Sequence, residues 1–184
     1  MSRPAVFLDR DGVITDAIVR DGRPYPPSST TEIHIPPDVP AALRRLKDAG
    51  FALVVVTNQP DVARGTQTRE TVEAINAALG ARVPIDEFRV CYHDDPDACD
   101  CRKPKPGLLT QPPYYDLRES VMIGDRWRDI EAGRRAGVGA TVLIGGGHDE
   151  SCDIEPDLRV NTLGQAVPWI LERFSAVRTN DNGR

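Results

Sequence analysis

The sequence predicts a three-layer, Rossmann-like α/β/α domain built on a parallel sheet. Three observations carry this reading. Five short apolar runs of strand length recur along the chain, segments with helical spacing lie between them, and three runs end in polar residues able to do chemistry. Runs that are apolar throughout, rather than alternating, suit strands covered on both faces.

The elements follow in order. PAVFLD (residues 4–9) is the first buried strand and ends in an acid. Residues 10–37, rich in Gly, Pro, Ser and Thr, form a long loop with EIHI (32–35) as a small strand within it. Asp38 N-caps a helix that has Pro40 in its first turn and stops at Gly50. FALVVVT (51–57) is the second strand, and TRETVEAINAALG (68–80) is a helix with Val72, Ile75, Ala78 and Leu79 on its apolar face. FRVCY (88–92), SVMIG (120–124) and TVLIG (141–145) complete the strands. A helix over 127–137 closes at Gly137, and the one expected after Gly107 is interrupted by Pro112-Pro113. LGQAVPWILERF (163–174) is a terminal helix interrupted near Pro168. The chain thus divides into one domain over 1–175 and a frayed tail over 176–184.

Composition narrows the function. With 28 acidic against 23 basic residues the net charge is −5, which argues against nucleic-acid and acidic-membrane partners. No apolar run approaches the ~20 residues that span a bilayer. The opening MSRPAVFLDRDG lacks an apolar leader core, and its acidic motif arrives by Asp9, so a cytoplasmic protein is expected.

Asp9-Arg10-Asp11-Gly12 places two carboxylates around a strand end, and Gly12 allows a sharp turn. Such an aspartate can attack phosphorus, and its neighbour can protonate the leaving oxygen and then activate water. Thr57 and Asn58 end the next strand, where a hydroxyl and backbone N–H groups suit phosphoryl oxygens. Lys103 offers a point charge. Asp125 and Asp129 follow in GDRWRD. A carboxylate nucleophile and a phosphoryl group repel, so a hard cation is needed; Asp9, the backbone carbonyl of Asp11, and Asp125 are the natural Mg²⁺ ligands. Asp129 reads equally as support for that site or as a helix-N-terminal acid.

Cys91-x-His93-x₅-Cys99-x-Cys101 supplies three thiolates and an imidazole in a polar segment, the donor set of a closed tetrahedral Zn²⁺ site. The bland alternative, buried free thiols, does not suit YHDDPDACDC. Zinc there would brace the loop before Arg102-Lys103. Cys152, His34 and His148 have no partner spacing.

These four segments in this order resemble the haloacid dehalogenase superfamily of phosphatases, over roughly residues 4–145. The resemblance implies Asp9 as nucleophile, Asp11 as acid/base, Thr57 and Lys103 on the phosphoryl group, and Asp125 on Mg²⁺. The zinc loop is similar to that of the branch containing D-glycero-D-manno-heptose-1,7-bisphosphate 7-phosphatases and histidinol-phosphate phosphatases. NQPDVARG and KPKPGLL look like the former; the five-residue spacer and Arg126, where a lysine is common among the heptose enzymes, also suit the latter. The branch implies no separate cap domain, so the loops over 14–31 and 93–103 must close the site over a small sugar phosphate; a monomer is expected. Removal of the 7-phosphate of the heptose bisphosphate is the expectation, with histidinol phosphate as the rival substrate. A catalytically silent, zinc-stabilised binding protein is the rival of another class. Arg102 and Arg126 are expected on the substrate, whereas Arg10 and Arg64 read as readily as ordinary surface arginines.

Overall fold

The computed structural model describes residues 2–20, 23–145 and 154–180. In chain order the elements are β1 (Arg3–Leu8), the hairpin strands β2 (Ile18–Arg20) and β3 (Arg23–Tyr25), α1 (Val39–Asp48), β4 (Ala52–Asn58), α2 (Arg69–Gly80), β5 (Glu87–Cys91), the single turn α3 (Gly107–Thr110), β6 (Tyr115–Gly124), α4 (Trp127–Ala136), β7 (Ala140–Ile144), β8 (Leu158–Val160) and α5 (Leu163–Asn180). Six strands form one parallel sheet in the order β5-β4-β1-β6-β7-β8.

Alternation along the strands separates two cores. Val6, Leu8, Leu53, Val55 and Ile123 point to the layer of α1, α2 and α5, together with Leu43, Ile75 and Ile170. Ala5, Phe7, Val54, Val56 and Met122 point to the other face, under Leu108, Leu109 and Ala132 of α3 and α4. Both faces are covered, which is why the strands read as unbroken apolar runs.

Several local expectations change. Residues 33–35 are not a strand; the loop instead carries the β2–β3 hairpin and a 3-10 turn at Thr30–Glu32. Asp38 precedes α1 without capping it, because its carboxylate accepts from the Gly164 N–H at 2.8 Å and so ties α1 to α5. Ala78 is only half-buried on α2, and Asn76 takes a buried place in its stripe. After the short α3, β6 begins at Tyr115, so the segment after Pro112-Pro113 extends the central strand rather than a helix. The edge strand β8 was not foreseen.

Helix α5 continues through Pro168 to Asn180. The proline sits in the second turn and removes one backbone bond, while Leu163, Ala166, Val167 and Ile170 bury the helix on both sides of it. Residues 181–184 lie outside the described residues, as do His148 and Cys152. Among the described residues no helix is long and apolar enough to cross a membrane, and no separate cap stands over the sheet.

Candidate active site

The chain winds outward from β1 to β4 and β5, then crosses back to β6 on the other side of β1. That reversal opens a crevice at the carboxyl ends of the central strands, the usual ligand position in open α/β sheets. A cavity of about 290 Å³ lies there, with Asp9, Thr57, Lys103 and Asp129 in its wall.

Each acid is placed by its element. Asp9 follows β1 directly, and its backbone N–H donates to the Ile123 carbonyl at 2.9 Å, fastening it to β6. Gly12 has φ +93°, and a side chain there would lie 2.4 Å from the Asp125 carboxylate. Gly124 has no room either, since a Cβ would meet Asp129 at 2.1 Å. These two glycines let the acids converge. Carboxylate oxygens of Asp9, Asp125 and Asp129 come within 4.8 Å of one another, and all three residues are buried.

Lys103 is the counter-charge. Its buried ammonium donates to Asp9 Oδ1 at 2.7 Å, Asp129 Oδ1 at 2.5 Å and the Val56 carbonyl at 2.8 Å. Burial alone would lower its pKa; Asp129 and Asp9 outweigh that and hold it above its ordinary value. One ammonium does not balance three carboxylates. Burial, then the Asp9 and Asp129 charges, push Asp125 up to about 8. Burial likewise dominates for Asp9, and despite the pull of Lys103 it rises to about 6, with Asp129 and Asp11 adding to the rise. Asp125 Oδ1 is buried without a hydrogen-bond partner. An orphaned carboxylate oxygen beside two further acids fits a divalent hard cation.

Asp11 and Thr57 stand beside this cluster. The Asp11 carboxylate accepts from Arg10, from Thr15 Oγ1 at 3.3 Å and from Gln59 Nε2 at 2.9 Å. Gln59 Nε2 also reaches Thr57 Oγ1 at 2.9 Å. Arg10 is completely buried, contrary to its reading as a surface arginine. Asn58 lines the cavity, but its amide is committed elsewhere: Oδ1 accepts from the Lys103 N–H at 3.1 Å and Nδ2 donates to the Lys103 carbonyl at 3.0 Å. It therefore holds Lys103 in place rather than presenting its side chain to a phosphate. Asp129, left open by the sequence, is buried at the first turn of α4 and accepts from the Arg126 N–H at 3.1 Å.

Four arginines surround the mouth: Arg64, Arg102, Arg126 and Arg128. Arg64 forms a two-pronged pair with Asp94 at 2.6 and 2.9 Å, Arg102 donates to Asp95 at 2.7 Å, and Arg128 lies 3.6 Å from Asp95. Asp94 and Asp95 are not part of the cavity lining, whereas Asp61, 3.4 Å from Arg64, is. Tyr25 and Pro26, at the end of the β2–β3 hairpin, close another side. Gln59 and Arg128 lie inside the segments NQPDVARG and GDRWRD but have no role assigned by the sequence there, and Tyr25 lies in the long loop over 10–37.

The loop after β5 gathers Cys91, His93, Cys99 and Cys101. Sulfur–sulfur distances of 3.3–3.7 Å and sulfur–Nδ1 distances of 3.3 and 3.6 Å separate them. A tetrahedron with metal–sulfur bonds of ~2.3 Å has edges of roughly 3.8 Å, so the four donors already lie near its corners. Ala98, in the left-handed conformation at φ 48°, turns the chain between the two ligand pairs.

Known proteins resemble this chain in sequence and fold. A family model described as "HAD-hyrolase-like" matches residues 100–166. The D-glycero-beta-D-manno-heptose-1,7-bisphosphate 7-phosphatase of Escherichia coli K12 is 38% identical, over 95% of this chain and 91% of its own length. The Salmonella typhi enzyme of the same name is 35% identical over 95% and 93%. The crystal structure of D,D-heptose 1,7-bisphosphate phosphatase from B. bronchiseptica, complexed with magnesium and phosphate, superposes with a TM-score of 0.78 at 28% identity, over 92% of this chain and 99% of that one. The chain is therefore a member of the haloacid dehalogenase-like hydrolases, in the family of D-glycero-β-D-manno-heptose-1,7-bisphosphate 7-phosphatases.

Proposed function

We propose that the protein hydrolyses the 7-phosphate of D-glycero-β-D-manno-heptose 1,7-bisphosphate. The observation that carries this reading is the collar of four arginines around a cavity whose floor holds Asp9 and Lys103. One phosphate occupies the floor, and the collar suits a second anionic group, because guanidinium forks match phosphate oxygens. The acids of the zinc loop, which an ammonium-bearing substrate such as histidinol phosphate would need, are paired with the arginines and are not part of the cavity lining.

In this reading Lys103 orients Asp9 by holding Oδ1, and the other carboxylate oxygen attacks phosphorus. The new O–P bond forms as the bond from phosphorus to the C7 oxygen breaks, and that oxygen takes a proton from the Asp11 carboxyl. Water then attacks the aspartyl-phosphate, giving its proton to Asp11 and releasing inorganic phosphate from Asp9. Magnesium, held by Asp9, Asp125 and the Asp11 carbonyl, would supply charge neutralisation. Thr57, Lys103, Arg102, Arg126 and the Asn58 backbone N–H contact substrate, while the Asn58 side chain acts on Lys103. Zinc at the Cys91–His93–Cys99–Cys101 cluster would hold the Arg102-Lys103 segment in place. One domain spans residues 1–175, acting as a monomer in the cytoplasm.

The test is a comparison of kcat/KM with Mg²⁺. The heptose bisphosphate should exceed histidinol phosphate at least tenfold, about 1.4 kcal/mol in transition-state binding. The reverse order would assign the protein to histidinol phosphate. No turnover of either ester, or of an aryl phosphate, would make it a binding protein.

A further inference from the structure

Helix α2 faces the core with Val72, Ile75 and Leu79, and with one polar residue, Asn76, which is only 6% exposed. An amide on an apolar stripe costs stability unless it is bonded. The Asn76 Oδ1 atom accepts from Arg10 Nη1 at 2.9 Å, across 66 residues of sequence. Arg10 has no exposed surface, and the other side of its guanidinium grips Asp11, with Nε 3.1 Å from Oδ1 and Nη2 3.0 Å from Oδ2. The guanidinium is a rigid plane, so anchoring Nη1 fixes the direction of the two donors that meet Asp11. A buried arginine paired with a partly exposed carboxylate is a poor device for stability alone, because an apolar residue of similar volume often serves as well. Its value here lies in where it points a carboxyl group at the cavity wall.

We propose that Asn76, through Arg10, is a positioning residue that aims the Asp11 carboxyl at the leaving oxygen. Neither residue touches substrate. The chain of contacts runs from a core helix, through a buried guanidinium, to the group that gives up the proton. This rests on the reading of Asp11 as the acid of the first step.

The test uses leaving groups of different need. An aryl phosphate such as p-nitrophenyl phosphate leaves without protonation, whereas a sugar alkoxide requires it. The ratio of kcat/KM for the alkyl ester to that for the aryl ester isolates proton donation in the first step, and a merely structural defect lowers both equally. Asn76→Leu should reduce this ratio at least fivefold. Asn76→Asp, whose carboxylate accepts the same bond from Arg10, should restore it. If the leucine variant does not fold, Asn76→Ser, too short to reach Nη1, carries the same expectation. A ratio unchanged by Asn76→Leu or Asn76→Ser, or one that Asn76→Asp does not recover, overturns the proposal. Asp11→Asn separates the two layers: it must lower the ratio in the otherwise wild-type enzyme, and if it does not, the acid reading itself fails.

Discussion

Asp125→Asn should stabilise the magnesium-free protein while removing its activity. Asp125 is raised from 3.8 to about 8, chiefly by burial. A carboxyl with a folded pKa above its unfolded value binds its proton more tightly when folded. The magnesium-free protein therefore loses stability as pH rises from about 4 through about 8. At about 1.36 kcal/mol per unit, a lone group shifted this far would cost on the order of 5 kcal/mol at pH 8. Asp9 is raised to about 6 and shares protons with Asp125, so a cost of roughly 2–5 kcal/mol is the working range. Asparagine keeps the shape and removes the charge. For a chain of this size the gain corresponds to roughly 5–15 °C in Tm at pH 8, and far less at pH 5. The assay is thermal unfolding at both pH values, with magnesium removed by desalting rather than chelation so that the thiolate cluster is untouched. Added magnesium should raise wild-type Tm more at pH 8 than at pH 5, and should do little for the variant. A lower Tm for Asp125→Asn at pH 8, or a magnesium effect of equal size at both pH values, would refute this account of the acid cluster.

Other consequences concern single groups. Asp9→Asn should fold normally and lose several orders of magnitude in kcat, about 4 kcal/mol or more, and near-wild-type turnover would remove Asp9 as nucleophile. Protein purified without chelators or acid should carry about one zinc per chain by elemental analysis, and Cys99→Ala should lose it. Arg102→Ala should lower kcat/KM for the bisphosphate tenfold to a hundredfold, ~1.5–3 kcal/mol, and spare small monophosphates; an equal loss on both would place Arg102 at the reacting phosphate.

Much of the site was legible because its groups sit at strand ends and in short motifs. Asp9, Thr57 and Asp125 converge because the neighbouring parallel strands β1, β4 and β6 end at one edge. The zinc-type donors were legible from spacing alone, since four sulfur and nitrogen atoms within eleven residues of a polar loop admit few other uses. What escaped the sequence depends on contacts between distant segments. Arg10 reads as a surface residue until α2 covers it and Asn76 reaches it. The Asn58 backbone N–H is the group the strand end offers to phosphate, and the pairing of its side chain with the Lys103 backbone has no local signal. Asp38 looked like a cap until Gly164 came within reach. Pro168 looked like a break because local backbone cost is visible in the sequence, whereas the burial that outweighs it is tertiary.

The most direct test of the central claim is the position of cleavage. Phosphorus NMR should follow D-glycero-β-D-manno-heptose 1,7-bisphosphate incubated with the enzyme and Mg²⁺. Loss of the C7 phosphate signal, appearance of inorganic phosphate and retention of the anomeric phosphate are predicted. Cleavage of the anomeric phosphate, or persistence of both esters while histidinol phosphate is consumed, would contradict the account.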